Sequence, residues 1–195
     1  MSTAERPPAI VRWTLRLEGA SLLDRPVKAL EPVVERLLAG GTRGSVLRGE
    51  WLGHALHPVL TDVALGTWTS ATVLDLVGGD DSESAAQRLI GTGLLAAGPT
   101  AWTGWAEWST ARPRDKRVGL VHAVTNGAAI GLYAASWRAR RQGRHGDGVR
   151  LALVGMAATG VGAYLGGHLA AARKVGSHHP AYDRTSLDVP TDAPS

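Results

Sequence analysis

The 195 residues contain no cysteine and no phenylalanine, with only two methionines and three tyrosines. Without cysteine the chain forms no disulfide, no thiolate-bound zinc and no iron–sulfur cluster of its own. Acidic residues are in slight deficit, 17 against 21 Lys and Arg, for a net charge of +4 and a pI near 10. That excess sits in short basic loops beside apolar segments, where it reads as a topology signal and not as a nucleic-acid footprint. A phosphate loop, a dinucleotide fingerprint and a nucleophile-and-base arrangement are all missing. No reaction class follows, and the chain reads as not an enzyme by itself. The N-terminus lacks the basic-then-apolar order of a cleaved signal peptide, so the first span is expected to act as its own insertion signal.

The chain does carry four apolar stretches, roughly Pro58–Gly78, Arg88–Trp108, Val118–Trp137 and Val149–Ala172. Each is close to the ~20 residues of helix that cross a bilayer core of about 30 Å. They are rich in Ala, Gly and Thr, so their composition alone also suits a soluble helical bundle. The flanks favour the membrane. Trp51, Trp102, Trp105, Trp108 and Trp137 lie near segment ends, as in an interfacial aromatic belt, and basic clusters follow at 112–117, 138–141 and 173–174. The expected fold is all-α: a four-helix transmembrane bundle at 51–176, multi-pass in a bacterial cell membrane, preceded by an extramembrane segment at 1–50.

Within that segment, Val27, Leu30, Val34, Leu37 and Leu38 make one apolar stripe of a short amphipathic helix. It is expected on the membrane surface, or against the loops of its own bundle. Residues 177–195 read as a disordered tail in which His178 and His179 are solvated. Four spans put both termini on one side, and counting Lys and Arg favours the cytoplasm for that side only weakly.

On helical wheels at about 100° per residue, five ionisable residues attract attention. His54 and His57 share a face of span 1. Glu107 continues a stripe of Gly93, Ala96, Thr100 and Thr103 in span 2, while Trp102, Trp105 and Trp108 point to lipid. His122 lies with Asn126 and Tyr133 in span 3. In span 4 His168 shares a face with Val161 and Tyr164, opposite a small-residue face of Gly155, Thr159, Gly162 and Gly166. Because spans 1 and 3 run against spans 2 and 4, His57, Glu107, His122 and His168 are expected at one depth, with His54 a turn further out. Ionisable residues in a bilayer are costly and mark function.

Imidazoles on facing helices are a usual way to hold haem or a metal. Three readings stay open. One is haem b with two axial ligands among His54, His57, His122 and His168, with Gly104, Gly166 and Gly167 giving room for the macrocycle. A second is a non-haem metal ion held by Glu107 and these histidines. The third is a cofactor-free polar cluster that makes the chain a structural or assembly subunit. The small-residue face of span 4 serves close packing within the bundle or between two copies, as a possible homodimer contact. Asp62 is expected to pair with a neighbouring helix or basic loop, and Asp75 to be a solvated end residue.

The run Trp51-Leu-Gly-His54-Ala-Leu-His57-Pro58-Val-Leu-Thr-Asp62 resembles a known family, as do Thr103-Gly104 with Glu107-Trp108, His122-Ala-Val-Thr-Asn126 and Ala163-Tyr-Leu-Gly-Gly-His168-Leu. It is the bacterial family catalogued as domain of unknown function 2231, and the likeness covers about Gly19 to Gly176. The Gly-His-x-Leu-His-Pro opening of span 1 is its most specific piece. The resemblance implies a four-helix membrane protein in a redox setting, because some members are fused to a Rieske iron–sulfur domain after the last helix. Glu107 stands where the family pattern leads one to expect Asp. A Rieske-type or other redox partner of this chain is expected to be a separate protein.

Overall fold

Pro58 and Pro113 mark where the first and third apolar stretches begin to coil, since a proline in the first turn costs no hydrogen bond and presets φ. In the computed structural model, which describes residues 6–183, those prolines fall in the first turns of α4 (Leu56–Val77) and α6 (Pro113–Arg141). Each is followed by a second long helix, α5 (Glu83–Thr110) and α7 (His145–Gly167), the latter widening into a π-helical turn over His168–Ala172. Three shorter helices precede them: α1 (Ala9–Glu18), α2 (Asp24–Val34) and α3 (Gly41–Arg48). The protein is all-α, with no strand among the described residues. Helices α6 and α7 are long and apolar enough to cross a membrane.

Helices α4 and α5 form one hairpin and α6 and α7 another; they meet through α5 against α6 and α4 against α7. Ala64, Trp68, Ala71, Ala86, Ile90, Ala97, Tyr133 and Ala152 fill the space between them. So many small residues let the backbones approach closely, which is the packing mode available where no hydrophobic driving force acts between helices. At the centre the rings of Trp68 and Tyr133 stack, 4.1 Å apart and 14° from parallel. Gly93 lies against Trp68 and Gly155 against Tyr133, each leaving no room for a Cβ without displacing the ring.

Several expectations change here. The stripe of α2 does not lie on a membrane surface: Val27 and Val34 are buried against Trp108 and Leu120. Trp108 accordingly points inward, its Nε1 donating to the Lys116 carbonyl at 2.9 Å, while Trp102 faces out. The small face of α7 is spent within the chain, with Gly155 against Tyr133, Gly162 against Asn126 and Gly166 against His122. It offers nothing to a second copy. Asp75 is not solvated but fully buried with Arg140, in a two-point pair at 2.5 and 2.8 Å. Residues 177–183, assigned to the tail, return to the start of α4, where His178 bridges to His54 and His54 stacks on Tyr182 at 4.9 Å. The remainder of the tail, 184–195, lies outside the described residues.

Candidate functional site

His57 sits in the first turn of α4 and His122 ten residues into α6, both at the end of the hairpins where α5 and α7 finish. Their ring centroids are 6.3 Å apart and the ring planes are 79° from parallel. Each Nδ1 is tied to a main-chain carbonyl of the partner helix in its own hairpin: His57 to Thr100 at 2.9 Å and His122 to Gly162 at 2.9 Å. With Nδ1 donating, each imidazole is the neutral tautomer that carries its lone pair on Nε2, which is the usual orientation of a metal-ligating histidine. A glycine one turn beyond each carbonyl lies against the ring. A Cβ on Gly104 would come within 2.8 Å of His57, and one on Gly166 within 2.9 Å of His122. Asn126 approaches Nε2 of His122 at 3.0 Å, so its amide is the present partner of that lone pair.

The other predicted site residues are placed elsewhere. His168 lies on the face of α7 opposite Gly162 and Gly166, and because those glycines face His122, His168 turns outward. It meets Glu18 of α1 at 2.8 Å, and Glu18 also takes a two-point pair from Arg173 at 2.6 and 2.7 Å. Burial raises the Glu18 pKa, but the hydrogen bonds and charges of Arg173 and His168 outweigh it and hold the carboxyl below its ordinary 4.5. Glu107 is buried one turn beyond Gly104, where Ser177 donates to Oε2 at 3.2 Å and Oε1 has no partner among the described residues. His54 is exposed against Tyr182. Among the described residues no group of three or more His, Cys, Asp or Glu is arranged to hold a metal ion. Of the four residues expected at one depth, the structure brings His57 and His122 together.

A relation between the hairpins went unread in the sequence. Asp75 and Arg140 are 65 positions apart, and the same interval separates His57 from His122 and Trp68 from Tyr133. A second constant interval relates α5 to α7, pairing Gly93 with Gly155, Gly98 with Gly160 and Gly104 with Gly166, and Arg88-Leu89 with Arg150-Leu151. The hairpins are thus two copies of one unit, related by an approximate two-fold axis that runs between the paired residues. The glycine spacing was the visible signal.

Valines and leucines lie on the outside of these helices and polar pairs on the inside. The family model described as predicted membrane protein, DUF2231, matches residues 53–179, and the chain belongs to that family. The match begins at the Gly-His-x-Leu-His-Pro run and ends at His179, so it takes in both hairpins and the returning segment. No curated protein and no solved structure matches the chain.

Proposed function

We propose that α4 to α7 form a four-helix transmembrane bundle and that His57 and His122 are the two axial ligands of a haem b, making this an electron-transfer subunit of a membrane redox system. The observation that carries the proposal is the matched pair of imidazoles. Their ring centres lie 6.3 Å apart, and these two side chains would hold the group between them. Both are oriented at Nδ1 by a carbonyl, which leaves Nε2 as the ligating nitrogen, and both rings are seated against a glycine. Haem would supply one-electron transfer, at a potential set by its axial ligands and by burial. The protein's own residues do the positioning. The Thr100 and Gly162 carbonyls fix the ring planes, and Gly104 and Gly166 leave room for the rings themselves. Asn126 must release Nε2 of His122 on ligation.

The multi-span reading rests on what each helix turns outward. Val59, Val63, Val73 and Leu76 of α4, Leu95 and Trp102 of α5, Val124 of α6, and Leu153, Val154 and Val161 of α7 are all exposed. Lipid is the medium that suits such faces. A separate redox protein would take the electron, docking at the end that carries the histidines.

The assembly-subunit reading without cofactor has one observation in its favour: the Asn126 amide already satisfies His122 Nε2. Expression with haem precursor and iron, followed by the absorption spectrum of the detergent-purified protein, separates the two. Haem ligation predicts a Soret band that disappears in His57→Ala and in His122→Ala but persists in His54→Ala and His168→Ala. An uncoloured wild-type protein would leave the histidines as interhelical hydrogen-bonding groups.

A further inference from the structure

Helix α1 has the polarity of its surfaces reversed. Its buried residues are Thr14 and Glu18, at 1% and 7% exposure, whereas Ile10, Val11, Trp13 and Leu15 are 39–49% exposed. A helix against a protein in water does the opposite, burying its apolar stripe. Thr14 meets the Tyr164 hydroxyl at 3.2 Å and Glu18 meets His168, and both contacts span the same 150 positions. Helix α1 therefore packs on α6 and points in the direction of α7, with Thr14 abreast of Tyr164 and Glu18 abreast of His168. Its N-terminal turn is abreast of Gly160 and Val161, among the outward apolar residues of α7. Its C-terminal turn reaches the level where Arg117 donates to the Glu18 carbonyl. Arg12 and Arg16 fall on the side away from the bundle, about half a turn from Thr14 and Glu18 at about 100° per residue.

From this we infer that α1 is seated in the lipid leaflet at the histidine end. Its exposed apolar side chains contact the acyl chains, and Arg16, near its C-terminal end, reaches phospholipid phosphates, while Arg12 donates to the Pro7 carbonyl. The occupant of its exposed surface is lipid, on three grounds. Its apolar side chains lie at the depth of the exposed valines of α7. Arg16 flanks them on the outermost face near the C-terminal end, where a long basic side chain extends to the headgroups. Its protein-facing side is fixed by polar contacts that gain strength away from water. The two-point pair from Arg173 and the contact with His168 hold Glu18 at the point where α1 leaves the leaflet. This inference rests on the membrane reading of α4 to α7 and is independent of haem.

The absence of native cysteine makes single-cysteine labelling clean. The full chain carrying one of Ile10→Cys, Trp13→Cys, Leu15→Cys, Arg16→Cys or Leu95→Cys is spin-labelled in nanodiscs of phosphatidylcholine and phosphatidylglycerol. Collision with oxygen is then compared with collision with a water-soluble nickel chelate. Oxygen exceeding nickel at positions 10, 13 and 15, with the ratio falling from 10 towards 16, is the expected result. Nickel dominating at all four α1 positions while oxygen dominates at position 95 would overturn the inference and leave the membrane reading standing. Nickel dominating at position 95 as well would overturn both. Protection from both reagents at positions 10, 13 and 15 would mean that a second copy or another protein covers α1, and would also overturn it.

Discussion

His57 and His122 occupy equivalent positions in two copies of one hairpin, so any ligand between them sees two nearly equivalent imidazoles. Gly104 and Gly166 set how far each ring can turn. Replacing either by Val forces the ring off its carbonyl, since even a Cβ would come within 3 Å; overpacking of this kind costs about 1–3 kcal/mol. The expected outcome is a folded protein with diminished haem content, measured as absorbance per polypeptide. Glu18 makes the other residue-scale prediction. Its pKa is depressed in the folded state, so its contribution to stability is present above the unfolded value of 4.5 and is lost as pH falls through the lower folded value. Melting temperatures of the wild type should therefore drop below about pH 4.5, while Glu18→Gln, starting lower, should show a flatter acid limb. A parallel pair of melting curves would contradict the assignment. The histidines were legible as candidates from their depth in apolar segments. Which two would meet was not, because that depends on which face of α7 turns inward: the small residues Gly162 and Gly166 take that side and send His168 out to Glu18.

Each hairpin pairs one helix that carries the large central residue with one that carries the glycine beneath it. Trp68 lies over Gly93 and Tyr133 over Gly155, and where α4 and α6 end the 65-residue interval between the hairpins sets Asp75 against Arg140. Both side chains of that pair are buried, and removing one partner leaves a charge without compensation. Asp75→Asn or Arg140→Met alone should cost about 3–5 kcal/mol, whereas Asp75→Leu with Arg140→Met should recover most of the loss. Chemical unfolding in mild detergent measures the cycle; equal losses in the double and single variants would show that the pair is not the source of the effect. Asp75 was misread because it lies next to Gly78-Gly79-Asp80-Asp81, which looks like a solvated turn. Its partner, Arg140, belongs to a basic cluster that reads as a flanking topology signal, and only the pairing of α4 with α6 joins them. The four apolar stretches, by contrast, fall largely within four long helices, because long apolar stretches bounded by Gly and Pro constrain helix ends.

As a whole molecule, the protein is two related hairpins with a polar feature at each end, His57 with His122 at one and Asp75 with Arg140 at the other, joined through the Trp68–Tyr133 stack. The helices α1 to α3 lie toward the histidine end, with α2 packed on Trp108 and α1 on α6. If α4 to α7 all cross the bilayer, the turns at 78–83 and 142–145 share one side and the turn at 110–113 lies on the other. Asp81→Cys and Gln142→Cys should then react with an impermeant thiol reagent from the same side, and Thr110→Cys from the opposite side; reaction of all three from one side would exclude four spans. The membrane family and the helical class were readable from composition, flanking tryptophans and the Gly-His-x-Leu-His-Pro run. The repeat escaped notice because its copies share chiefly small residues, whose role appears only when the rings they accommodate are in place.

The claim that His57 and His122 jointly ligate one haem is tested most directly by low-temperature electron paramagnetic resonance of the oxidised, haem-supplied protein. Imidazole planes 79° apart predict the strongly anisotropic low-spin ferric signal of near-perpendicular axial histidines, absent in His57→Ala and His122→Ala. A high-spin ferric signal in the wild type, or a low-spin signal unchanged in both variants, would contradict the account.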